Sequence, residues 1–210
     1  LFKPQFTSNG IYSIYLRLET SGTMRFPLIL WPADIFIHKN AKENTIYGIY
    51  YGFLLMLFVL LVLIYFNQKT ISFIYFAVFI FLGALFESIQ TGTLFELTMP
   101  ANTANKFSLY ILSGTIALLS FSKFIYEFLQ LRNQSVFLRY SYTGLAVFGF
   151  AVIISLPTGD KSFSIHLFSI LGLFTLIPNF AAALTMTHRG RREGIFFLVA
   201  MGFFLVAVIV

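Results

Sequence analysis

The side chains that could do chemistry in this chain stand out because they interrupt apolar runs. Glu87 is the one acidic residue well inside such a run, and in a helix Gly83 and Gln90 share its face at i−4 and i+3. A charge at the centre of a membrane span costs about 2.5–3.5 kcal/mol on insertion scales, so this carboxylate must face other helices, water or the interface. His166 sits three residues into a later run, at the same expected membrane depth. Glu87, Gln90 and His166 are therefore expected to line a pocket in the outer leaflet that senses a ligand or pH. The plainer alternative makes Glu87 an interfacial carboxylate near the headgroups.

Other residues carry packing signals. Gly48 and Gly52 form a GxxxG, a spacing that lets two transmembrane backbones approach, and Gly83 adds a small residue beside Glu87. A chance occurrence in a glycine-bearing segment competes with that reading, and Tyr47, Tyr50 and Tyr51 read as an interfacial aromatic belt. Pro178 removes an i to i−4 hydrogen bond and is expected to kink its helix, with Asn179 or a neighbouring helix satisfying the freed carbonyl. Lys123 and Glu127, four apart, are expected to pair at a solvated boundary.

Catalytic signatures are missing. The chain has no HExxH, GxSxG or phosphate-cradling glycine loop, and His38, His166 and His188 are scattered. Neither enzyme activity, nor a metal, nor a cofactor is expected within it. A transporter or channel is the second reading, weakened by the single intramembrane Glu, His and Pro and by the lack of visible repeat symmetry.

The elements that must position these residues follow from composition. Of 210 residues, 58% are apolar and only 10% charged, with a mean hydropathy of +0.84, whereas a soluble domain has about 25% charged residues. The protein is expected in the lipid bilayer. Disorder is excluded by the hydrophobicity, and a disulfide scaffold by the absence of cysteine. The net charge of +6 is spread over short loops, which excludes a nucleic-acid footprint.

Spans are expected at about 46–66, 71–90, 107–129, 140–156, 163–187 and 195–210, since about 20 apolar residues cross a hydrocarbon core about 30 Å thick. Taking alternate connections as one side places Lys69, Lys123, Arg132, Arg139, Arg189, Arg191 and Arg192 together, against only Lys106 and Lys161 opposite. That bias puts the first set in the cytoplasm and the N-terminal segment outside. The connection Thr91–Lys106 is long for a bundle loop and is a candidate for contact with an outer domain or ligand.

Residues 1–44 read differently from 45–210. Ile11–Leu18 and Met24–Trp31 are extended runs rich in β-branched and aromatic residues, separated by the turn cluster Thr20–Thr23. A β-hairpin is expected, with Pro27 at an edge or strand end. Two strands are not stable alone, so they are expected to close a larger β domain, and a polar linker, His38–Asn44, leads to the membrane. The overall class is mainly α, a polytopic helical bundle preceded by a β remnant, and both ends are expected to be cuts through a longer protein.

Gly48-Ile49-Tyr50-Tyr51-Gly52-Phe53-Leu54-Leu55, the basic turn into Ile71-Ser72-Phe73-Ile74-Tyr75-Phe76, the Gln90-Thr91-Gly92 exit, and Arg189-Gly190-Arg191-Arg192-Glu193-Gly194 before Phe196-Phe197-Leu198-Val199-Ala200 stand in a recognisable order. Together with Tyr15–Glu19, Ser21-Gly22 and Phe26–Trp31, this order resembles the bacterial seven-transmembrane receptors with diverse intracellular signalling modules. The resemblance implies the end of an extracytoplasmic jelly roll followed by helices one to six, in the bacterial inner membrane. It implies a small-molecule, carbohydrate-like ligand outside and a cytoplasmic signalling module in cis beyond this chain, which could be catalytic. A homodimer is compatible with it. No catalytic residue is implied here.

Overall fold

In lipid an apolar segment can satisfy its backbone polar groups only internally, and the long apolar runs accordingly form helices. In the computed structural model, whose described residues are 32–93, 103–131 and 136–209, the order is α1 (Ala33–Gln68), α2 (Ser72–Thr91), α3 (Thr103–Phe128), α4 (Val136–Ser155), α5 (Lys161–His188) and α6 (Arg192–Ile209), with a 3-10 turn at Leu156–Thr158. The first five are long and apolar enough to cross a membrane. Connections are tight. Lys69 adopts a left-handed conformation (φ 56°) and its N–H donates to the Tyr65 carbonyl at 2.7 Å, closing α1. Gly190 (φ 73°) turns the chain from α5 into α6. Between α4 and α5, Asp160 caps α5 by accepting from the Phe163 N–H, and the Ser155 hydroxyl donates to that of Ser164 at 3.0 Å.

α3 is the central element, with α2, α4 and α5 packed on it, α1 lying on α2 and α6 on α5. The α2–α3 seam is aromatic along its length: ring centroids are 4.6 Å apart for Phe76–Phe124, 4.7 Å for Phe79–Phe121 and 4.5 Å for Phe86–Tyr110. The distribution of polarity is that of a membrane protein. Large apolar side chains such as Ile49 (70% exposed) and Phe196 (74%) face outward, while Ser113, Thr115, Ser164, Thr175 and Asn179 are buried. Small hydroxylated residues of this kind let helices approach closely where lipid supplies no hydrophobic drive.

Three expectations change. The polar stretch 38–44 is no linker, because α1 begins at Ala33 and runs 36 residues without a break. Its first turns are held by Pro32 at the N-cap, by Asp34 facing the helix dipole, and by the Lys39–Glu43 pair at 3.7 Å. The connection after α2 is shorter than expected, since α3 starts at Thr103. The GxxxG takes no close contact among the described residues: a Cβ at Gly48, Gly52 or Gly83 would meet no heavy atom within 4 Å. Close approach occurs instead at Gly114, under Phe86 and Phe168, and at Gly149, under Leu119. The expected hairpin of residues 11–31 lies outside the described residues, as does Arg132.

Candidate functional site

The residues expected to share one pocket do not meet. Glu87 is half-buried on α2, Gln90 is exposed near that helix's end, and His166 is exposed on α5 without a hydrogen bond or ion pair among the described residues. The reason is rotational. Phe168, two residues on, takes the inward position against Phe86 and Tyr110, so His166 is turned away from the bundle. Sequence depth alone could not give that rotation.

Glu87 has a different partner. The Tyr50 hydroxyl of α1 donates to Glu87 Oε2 at 2.5 Å. One residue on, the Tyr51 hydroxyl lies 3.4 Å from Thr93 Oγ1, and the Thr91 and Thr93 hydroxyls also donate to the Ser88 carbonyl, one that α2 leaves open at its end. Beside this latch, α1 and α2 diverge around a cleft of about 820 Å³, lined by Tyr47, Gly48, Tyr51, Phe58, Phe81 and Ser88 among others. Of the GxxxG only Gly48 borders this cleft, and Glu87, Gln90 and His166 do not line it.

A second polar contact sits inside the bundle. The Tyr142 hydroxyl of α4 donates to Asn179 Oδ1 of α5 at 2.7 Å, and Asn179 is 1% exposed. Its Nδ2 has no partner among the described residues. Asn179 thus does not cap the carbonyl freed by Pro178, and α5 runs through that proline uninterrupted. An asparagine after a proline inside an apolar run was the available signal for this contact; its partner, 37 residues away, had none.

Tyr142→Phe would leave the buried amide of Asn179 with no partner at either polar atom, and is expected to cost about 1–2 kcal/mol. The double variant Tyr142→Phe/Asn179→Leu should recover most of that, because removing both partners removes the desolvation penalty. Unfolding of the detergent-solubilised protein by added SDS measures both. A double variant no more stable than Tyr142→Phe would refute the pairing.

At the end of the bundle that carries the basic loops, Lys123 pairs with Glu127 at 3.5 Å and lies 5.0 Å over the Tyr126 ring. Arg139 stands on the first turn of α4, and Arg189, Arg191 and Arg192 surround the turn into α6. Among the described residues no group of three His, Asp or Glu side chains could hold a metal.

No curated protein and no solved structure gives a significant match to the chain. A family model described as 7TM diverse intracellular signalling matches residues 43–210, which is α1 from just before its apolar part through α6. With a membrane-type inside-out bundle and that match over most of its length, the chain belongs to the 7TM diverse intracellular signalling family and is a multi-pass membrane protein of the sensor type used in signalling.

Proposed function

We propose that this chain is the membrane-embedded relay of a bacterial receptor, one that takes a small-molecule signal received outside the inner membrane and passes it to a cytoplasmic output module in cis. It performs no chemistry of its own. The basic loops face the cytoplasm and Ala33 the periplasm, a reading supported by the positive-inside bias.

The observation that carries the proposal is the shape and tethering of α1. At 1.5 Å per residue its 36 residues extend about 54 Å, against a hydrocarbon core of about 30 Å, so its start projects past the bilayer as a rod. Where the rod meets the bundle its main contact among the described residues is with α2, through Tyr50–Glu87 and the Phe58–Phe81 rings, with Tyr51–Thr93 just past the end of α2. α2 in turn is zipped to the central α3 by three aromatic pairs. A tilt or rotation of the rod is thus delivered to α2 and from there to α3, on which α4 and α5 are also packed. A ligand drives such a change only by binding one arrangement more tightly than another.

The latch tests this. An interhelical side-chain hydrogen bond in a membrane contributes about 0.6 kcal/mol on average and at most about 1.7, too little to hold the fold but enough to bias two arrangements of similar energy. In the intact receptor, without any added ligand, Tyr50→Phe and Glu87→Ala are each expected to move basal output severalfold in the same direction. The double variant should go no further than either alone, because both remove one interaction. Wild-type output from all three, at equal expression, would end the proposal.

A further inference from the structure

We propose that the groove between α2, α3 and α4 at the basic end of the bundle is a binding site for an anionic phospholipid, its phosphodiester held between Lys123 and Arg139. The inference goes beyond the relay function and does not depend on which leaflet the basic end occupies. The groove encloses about 440 Å³ and is lined by Tyr75, Ser120, Lys123, Tyr126, Arg139 and Tyr142 among others. Lys123 lies five residues before the end of α3 and Arg139 three residues into α4, so both cations stand within about 8 Å of their helix ends. That is headgroup depth in a bilayer-spanning bundle.

The two charges are set differently. The Lys123 ammonium is presented over the Tyr126 ring and shared with Glu127 at 3.5 Å, which offsets part of its charge. Arg139 is exposed, and its planar guanidinium suits two phosphate oxygens at once. Two cations less one carboxylate leave a single net positive charge, the complement of a monoanionic diester. Tyr75 and Tyr126 make no hydrogen bond through their hydroxyls among the described residues and are donors in reserve. Deeper in the groove the lining turns apolar, with Leu119, Leu145 and Ala146, as an acyl chain requires. A basic pocket between transmembrane helices with an apolar floor is the general form of an anionic-lipid site.

The test uses the chain in nanodiscs of phosphatidylcholine, with and without one-fifth phosphatidylglycerol, reading the thermal midpoint and the lipid retained in native mass spectra. Phosphatidylglycerol is expected to raise the midpoint of the wild type and of Arg191→Gln/Arg192→Gln, which loses two cations elsewhere at the same end. The increment should vanish in Lys123→Gln/Arg139→Gln. If that variant is not recovered, Arg139→Gln alone should show retained phosphatidylglycerol lowered about fivefold, the effect of one surface cation. An increment or a retained-lipid signal that survives loss of these cations, or one that is lost equally in the Arg191/Arg192 variant, overturns the site. So does a midpoint shift of the same size from millimolar inorganic phosphate in phosphatidylcholine discs, which would assign the groove to a soluble anion.

Discussion

Gly114→Leu is expected to destabilise the bundle by about 3 kcal/mol or more, and Gly114→Ala by about 1–2 kcal/mol, the range for forcing carbon into a filled core. Gly114 lies in the middle of α3, where a Cβ would sit 2.7 Å from Phe168 Cζ and from Phe86 Cδ2 and Cε2. A single ring could turn aside. These two cannot do so independently, because Phe86 is stacked on Tyr110 at 4.5 Å and Tyr110 in turn meets Phe168 edge-on at 6.1 Å. Any relief for the new methyl must move the α2–α3 seam or separate α3 from α5. Opposing this is the better helix propensity of alanine, up to about 1 kcal/mol, which lowers the net cost but does not reverse it. Gly83→Ala and Gly144→Ala receive that propensity with no contact within 4 Å to penalise them, so both should melt at or above wild type. Thermal unfolding of the four variants in one detergent gives the ranking. Gly114→Ala melting as high as Gly83→Ala would mean that the aromatic trio is not the fixed centre of the bundle.

That contrast shows where reading the chain stops being enough. Helix positions were available because a 20-residue apolar run has one structural solution in lipid, and α2, α4 and α5 fall within a few residues of their expected bounds. Which face of each helix is covered is another matter. In a soluble helix polarity marks the outward face, but in these helices outward and inward faces are both apolar, so the rotation that hides Phe168 and exposes His166 leaves little trace in hydropathy. The GxxxG at Gly48 and Gly52 is conspicuous by spacing and uncovered in space, while Gly114 and Gly149 stand alone in the chain and take the close contacts. The start of α1 was missed for the opposite reason. Residues 38–44 within its first turns are polar, and a polar stretch ahead of an apolar run reads as a connection, although Pro32 followed by Ala33-Asp34 is a helix-start signal. Glu87 stands out in the sequence because a carboxylate in an apolar run calls for a polar partner; that the partner is Tyr50, 37 residues earlier, depends on how two helices face each other.

Because α1 is one rod, the receptor's output should depend on helical phase. Each inserted residue turns what lies ahead of it by about 100°, so two alanines after Asn40 rotate the outer part by about 200°, whereas seven bring it back to within about 20° of its starting direction. On the proposed relay, two alanines are expected to change basal output of the intact receptor by about fivefold or more, the usual scale of coupling between sites. Seven should leave it near wild type despite being the larger insertion. A Gly-Ser-Gly-Gly insertion at the same place acts differently, since each glycine costs the helix about 1 kcal/mol relative to alanine and the four together break the rod. Its output should match that of a receptor from which everything ahead of Ala41 has been removed, because the outer part can then no longer turn α1. Asn40 is a suitable place for the insertion, exposed and ahead of the cleft and the Tyr50–Glu87 latch, so every variant keeps the bundle contacts intact. Output that scales with insertion length and ignores phase would replace rotation by a piston along the membrane normal. Output unchanged in all three would mean that α1 transmits nothing and that any signal enters the bundle through another element.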